Sequence, residues 1–345
     1  MKFRLITFAA ANAAGLLAAG APAQAQDAAA FFKDKTVTMI IGANSGGGYD
    51  TYARLVARHI GKHVPGKPNV VSSNMPGASS NTAAAALQQR LAKDGTYIGA
   101  IYASALLAPL LGQGKIIKHD PAKFRHLGSA SREVYTCVVR ADAPLKTYAD
   151  ARQKEIVLGA TTSGGSNLDY PVIANRFLGT KFKVVRGYRG SRAVTLAIEQ
   201  GEVQGACGLA WSTMSVQYPD IFTSGKFRVL AQEDMDGITA LNARNVPVTG
   251  KMDMNAGTRQ ALDLFYAQGV LGRPYVVAAE VPEDRAAALQ KAFMTALADP
   301  ALLAEAKKMR IEIAATSGND VQKLLTRLYA TPKPVIDSVV QALGR

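Results

Sequence analysis

Ile40–Arg58, IIGANSGGGYDTYARLVAR, is the stretch whose reading decides the fold. The apolar run Val37–Ile41 feeds a glycine-rich turn, which opens directly into a helix. Its residues Tyr52, Leu55, Val56, His59 and Ile60 recur at i, i+3, i+4, i+7 and i+8. Gly46, Gly47 and Gly48 let the backbone take positive φ and approach a ligand closely. The first helical N–H groups lack acceptors, and the helix dipole adds partial positive charge there. Such a corner receives anions. It carries neither G-x-x-x-x-G-K-[ST] nor G-x-G-x-x-G, because Thr51 stands where the third glycine of the latter belongs. A nucleotide is therefore disfavoured, and the alternative for this stretch alone is a tight turn with no ligand.

The same alternation continues outward. A strand near Val70–Ser73, the loop Asn74–Asn81, a helix over 82–92 and a strand over 97–101 complete a βαβαβ unit. That order implies a mostly parallel sheet flanked by helices, with ligands at the carboxyl ends of the strands. Pro76-Gly77 turns the second loop, and Ser79, Ser80 and Asn81 are expected to cap the following helix. Residues 125–140 read as an extended crossing into a second domain, where the alternation restarts. A strand over 156–160 leads through TTSGGSN (161–167) into a helix over 169–178, and a strand over 183–187 leads through Gly187-Tyr188-Arg189-Gly190 into a helix over 191–200. Pro171 suits a first helical turn, so Asp169 reads as the N-cap. After a strand over 203–208, the extended run Phe227–Gln232 returns the chain. Domain 1 is thus expected over 26–130 plus 232–345 and domain 2 over 131–231, with packing helices over 283–298, 301–309 and 319–342.

Composition narrows the classes. Hydrophobic residues make up 48% and charged residues 19%, which excludes a disordered chain. The formal charge of +14 suits acidic solutes, with anionic membrane lipid or nucleic acid as the alternatives. The basic residues are scattered without aromatic interleaving or a finger pattern, so no nucleic-acid partner is expected. Residues 1–25, with Lys2 and Arg4 ahead of an apolar run ending in Ala23-Gln24-Ala25, read as a cleavable signal peptide and imply export to the periplasm. Cys137 and Cys207 read as two buried thiols in separate strands, with a disulfide as the alternative. The four histidines show no metal-ligand spacing, so neither metal nor cofactor is expected. Glu233, Asp234 and Asp236 read as a solvated turn. No G-x-S-x-G elbow with ordered partners occurs, and no catalytic residue is assigned.

Four spaced signals then coincide: Ser45-Gly46-Gly47-Gly48-Tyr49-Asp50 with Ala53-Arg54; Asn74-Met75-Pro76-Gly77-Ala78; Ser163-Gly164-Gly165-Ser166; and Tyr188-Arg189-Gly190. Together they resemble the tripartite tricarboxylate transporter receptor family, the Bug periplasmic solute receptors, over nearly the whole mature chain. The resemblance implies a two-domain periplasmic-binding-protein fold of type II, a Venus flytrap, that closes on a small di- or tricarboxylate. It implies a monomer that delivers this ligand to membrane subunits of a tripartite tricarboxylate transporter. The implied ligand-binding residues are Asn44, Ser45, Gly46, Gly47, Gly48, Tyr49, Asp50, Pro76, Gly77, Ala78, Ser79, Tyr102, Ser163, Gly164, Gly165, Ser166, Asn167, Asp169, Tyr188 and Arg189. Three positions depart from the family pattern: Gly42-Ala43 for a Pro-aromatic pair, Arg189 for lysine, and Asp169 for histidine. A sensor docking on a membrane kinase and an exported enzyme on the same scaffold are the alternatives.

Overall fold

The computed structural model describes residues 28–345, so the signal segment lies outside the described residues. The first part runs α1 (Ala28–Phe32), β1 (Thr36–Ile41), α2 (Gly48–Ile60), β2 (Asn69–Asn74), α3 (Asn81–Gln89), β3 (Tyr97–Ala100), α4 (Ala103–Leu106) and β4 (Phe124–Ser129). The middle runs β5 (Tyr135–Arg140), β6 (Ile156–Ala160), α5 (Ser166–Leu178), β7 (Phe182–Arg186), α6 (Ser191–Gln200), β8 (Gly205–Ala210), α7 (Trp211–Gln217) and β9 (Phe227–Glu233). The remainder runs α8 (Thr239–Asn242), α9 (Ala256–Leu271), β10 (Pro274–Ala278), α10 (Glu283–Leu297), α11 (Pro300–Lys308), β11 (Thr316–Ser317), α12 (Gly318–Tyr329) and α13 (Lys333–Ala342).

Two mixed sheets result, in the orders β11-β4-β10-β3-β1-β2 and β7-β6-β8-β5-β9. The βαβ units give parallel neighbours, β2-β1-β3 and β7-β6-β8, as their alternation requires. The expectation of mostly parallel sheets holds for these halves and needs correction elsewhere. β5, which enters the second sheet from the first, runs against β8 and β9, and β10, which returns to the first, runs against β3 and β4. A strand that arrives by crossing between sheets, with no helix folding back over its neighbour, is not held to the parallel direction.

The apolar spacing read in α2 is realised: Tyr52, Leu55, Val56 and Ile60 are buried against β1 and the helices α10 and α11. The α9 helix and β10 were not anticipated. In α9, Phe265 and Tyr266 pack on Tyr170 of α5 at ring separations of 4.8 and 5.7 Å, so one apolar core runs past both sheets. The single C-terminal helix expected over 319–342 is two helices, broken where Thr331-Pro332 cannot continue the hydrogen-bond ladder.

Two further expectations are overturned. Cys137 and Cys207 form a disulfide joining the adjacent strands β5 and β8; the pattern showed two apolar strands but not that they are neighbours. Glu233 and Asp234, read as a solvated turn, are 1% and 2% exposed. Glu233 ends the core strand β9 and Asp234 follows it, where backbone donors replace water. Glu233 accepts from the Gly208 N–H at 2.6 Å, and Asp234 accepts from the N–H groups of Asp236 and Gly237.

The disulfide closes a loop of 70 residues. Reduction, or a Cys137→Ala/Cys207→Ala variant, is expected to lower unfolding free energy by about 2–4 kcal/mol, read as a lower urea midpoint. Burial pushes the Glu233 carboxyl up to about 8, against which the Gly208 hydrogen bond acts only partly. The unfolded chain therefore releases this proton first, and Glu233 withdraws stability as pH rises from the ordinary carboxylate range towards 8. Urea midpoints at pH 5, 6.5 and 8 should show a steeper loss in the wild type than in Glu233→Gln, which keeps the acceptor and removes the titration.

Candidate functional site

Four loops from the carboxyl ends of β1, β2, β6 and β7 converge on a cavity of about 620 Å³ between the two sheets. Three of them deliver a helix N-terminus with a glycine at the N-cap position: Gly47 for α2, Gly165 for α5 and Gly190 for α6. A glycine there leaves the first N–H groups uncovered by any capping side chain.

The first loop is held from behind by Asp50. Its carboxylate accepts from the Gly46 N–H at 2.9 Å, Asn74 Nδ2 at 2.8 Å and Arg54 Nε at 2.9 Å. Arg54 Nη2 also donates to Asn74 Oδ1, and Asn74 Nδ2 to the Ala43 carbonyl. Burial alone would raise the Asp50 carboxyl, but the Gly46 N–H, Arg54 and Asn74 outweigh it and hold the group below the usual carboxylate value. The family-like Gly-x-x-x-Asp-x-x-x-Arg spacing thus makes a brace: Asp50 faces away from the cavity.

The second loop is wound the wrong way for L-residues. Ala78, Ser79 and Ser80 take φ of 45°, 53° and 76° after Gly77 at 131°. Each left-handed residue costs about 1–2 kcal/mol, so its neighbours must hold it. Ser80 Oγ donates to the Gly42 carbonyl at 3.1 Å, and Ser79 Oγ reaches across to the Ser163 carbonyl at 3.0 Å. This contact also explains Gly42, where a Cβ would fall on the Ser80 hydroxyl. The expected side-chain caps on α3 are not formed, because left-handed Ser80 turns its hydroxyl to Gly42 and Asn81 turns its amide towards Gln113.

In the third loop Ser166 Oγ and Asn167 Nδ2 donate to the Gly208 carbonyl at 2.8 and 3.1 Å, fixing α5 to β8. Asp169 is not the N-cap. The helix starts at Ser166, and Asp169 N–H already donates to the Gly165 carbonyl; Pro171 sits inside the helix and leaves only the Asn167 carbonyl without its i+4 partner. Burial pushes the Asp169 carboxyl above its usual range although Arg345 opposes this, with Nη2 at 2.5 Å from Oδ1.

Of the residues named from the sequence, all line the cavity except Gly46, Asp50, Ser163, Gly164 and Asp169, which brace the loops from outside. Sequence reading missed Arg192, Thr213, Gln268 and Arg273, which also line it. Arg273 carried one signal, a lone arginine between the apolar ends of α9 and β10. Arg189 and Arg192 are exposed at the cavity wall and form no ion pair among the described residues. With Arg273 the lining presents three guanidinium groups and no carboxylate, histidine or cysteine. Among the described residues no cluster of His, Cys, Asp and Glu suits a metal, and no helix is long and apolar enough to cross a membrane.

No protein-family model and no curated protein matches the chain, whereas solved structures do. The periplasmic binding protein BugD superposes with a TM-score of 0.68 at 18% identity, over 90% of this chain and 98% of its own. A protein of R. palustris with adipate superposes with a TM-score of 0.67 at 18% identity, over 88% and 97%. MatC from Rhodopseudomonas palustris with bound malate gives 0.65 at 17%, over 88% and 99%. The fold is that of the periplasmic binding proteins. Within it, the loops at the carboxyl ends of both sheets face each other across one cleft.

Asp50→Ala should strand the Gly46 N–H and release Arg54. Gly46 is exposed and Arg54 partly so, and water takes over at both donors, so a loss of about 1 kcal/mol is expected, with Asp50→Asn losing less. Chemical denaturation of the three proteins checks this; equal stabilities would show that the carboxylate braces nothing.

Proposed function

We propose that the chain is a periplasmic solute-binding receptor of the tripartite tricarboxylate type. It captures a small carboxylate, a di- or tricarboxylate or related organic acid, in the cleft and delivers it to membrane subunits of such a transporter. The observation that carries this reading is the lining: glycine-capped helix N-termini and three guanidinium groups, with no carboxylate among them. Every fixed charge and dipole at the wall then favours an anion. The adipate and malate bound to proteins of the same fold support it. So does the order of the four sequence motifs, whose loops all reach this cavity.

On this reading the protein is a binder and not an enzyme, a monomer, and exported. A lining without histidine, cysteine or carboxylate offers no general base. The two lobes divide near residues 130 and 232, in keeping with β5–β9 forming one sheet and β1–β4, β10 and β11 the other. Arg189 grips the ligand from the second lobe.

A thermal-shift screen of the mature protein against mono-, di- and tricarboxylates tests the reading. An acid at 100-fold its Kd stabilises by about 2.7 kcal/mol and should raise the melting temperature by several degrees. No shift with any acid, or turnover of one, would overturn it. For the bound acid, Arg189→Ala should weaken affinity about tenfold, equivalent to about 1.4 kcal/mol, with Arg189→Lys in between. Calorimetry giving equal affinities for all three would place Arg189 outside the site.

A further inference from the structure

Arg273 is 2% exposed, yet only one of its side-chain nitrogens is engaged. Nη2 donates to Glu133 Oε2 and to Ser212 Oγ, both at 2.6 Å, whereas Nε and Nη1 have no hydrogen-bond partner. Buried donors left unpaired are costly, and these belong to a side chain on the cavity wall. Its place is specific. A Cβ on Gly48 would stand 2.8 Å from Nη2 and 3.1 Å from Nη1, so the guanidinium lies against the first residue of α2, whose leading N–H groups also lack acceptors. The rings of Tyr49 and Tyr52, 4.7 and 4.3 Å from the guanidinium carbon, fix its orientation. Glu133 is satisfied without the ligand, since Ser212 supplies its N–H at 3.2 Å and its hydroxyl at 2.6 Å.

Taking the receptor reading of the preceding subsection as its basis, we propose that the free Nη1 of Arg273 and the N-terminus of α2 anchor one carboxylate of the ligand. Arg189, on the loop after β7, and Arg192, in the first turn of α6, receive the other. The receptor thereby selects acids with two anionic ends over acids with one. Glu133 sets the strength of this selection, because its carboxylate offsets the charge of the cation that the ligand meets.

Calorimetry with succinate, glutarate and adipate and their monoamides tests this on the wild type, Glu133→Gln, and the double variant Glu133→Gln/Arg273→Gln. The wild type should prefer the diacid to its monoamide at least tenfold. Glu133→Gln retains hydrogen-bonding atoms towards Ser212 and Arg273 but uncovers the cation, so the diacid should bind severalfold more tightly; a purely structural Arg273 would give no gain. The double variant keeps a neutral amide pair and should bind diacid and monoamide alike. Unchanged or weaker diacid binding in Glu133→Gln overturns the proposal, as does a preference retained in the double variant. Circular dichroism reports folding: if the double variant does not fold, the Glu133→Gln result decides, and if Glu133→Gln does not fold, the loss or retention of the preference in the double variant decides. Binding of monocarboxylates alone overturns the Arg273 proposal and leaves the receptor reading standing; binding of no carboxylate overturns both.

Discussion

The ion pair between Arg273 and Glu133 is the interaction on which the architecture turns. Glu133 lies in the segment that carries the chain from β4 to β5, and Arg273 at the point where it returns into β10. The two segments are laced together around the pair: Glu133 N–H donates to the Gly269 carbonyl at 2.8 Å, and Arg273 N–H to Ser129 Oγ at 2.9 Å. Loss of one member of a buried pair commonly costs 3–5 kcal/mol, because the other charge is left uncompensated. Here that charge would sit between the sheets, where a shift in either crossing moves one wall of the cleft.

Around this junction the loops do two separate jobs. Glycines at the N-caps expose donors, while the side chains that follow them turn inward to hold position: Asp50 to Gly46 and Arg54, Ser166 and Asn167 to β8, Ser80 to Gly42. Pre-set donors do not have to be ordered when a ligand arrives, so less of the interaction energy is lost to fixing the site. The left-handed turn Ala78–Ser80 belongs to the same economy. Its strain is offset by the bonds from Ser80 to Gly42 and from Ser79 to Ser163.

Much of this was legible in the sequence, and the reasons for the exceptions are physical. Periodicity located α2, which buries one face, an apolar run located β1, which is buried on both, and the glycine clusters marked the corners, where Gly46, Gly164 and Gly190 take positive φ. Asp50 and Asp169 were read as facing the ligand, and instead they brace loops, because a carboxylate near a helix start serves a backbone donor and a ligand equally well on paper. Glu233 was read as solvated because burial depends on what packs from elsewhere, here β8 and its disulfide. The α9 helix escaped notice because it is apolar nearly all round, which blurs the helical stripe. Arg273 escaped because its partners lie 140 and 61 residues away in the chain.

The Ser79 hydroxyl spans the mouth of the cleft to the Ser163 carbonyl, and Arg345 joins the Leu111 carbonyl to Asp169 just behind. All three bonds are made by protein groups alone, and they tie the loop after β2 and the C-terminal residue to the loop and helix after β6. Bonds of this kind are worth about 1 kcal/mol each in water, enough to bias the mouth towards shut and too little to lock it. On the receptor reading, a ligand can enter or leave only when these bonds part. A latch of this kind would slow entry and exit alike without adding a single contact to the ligand.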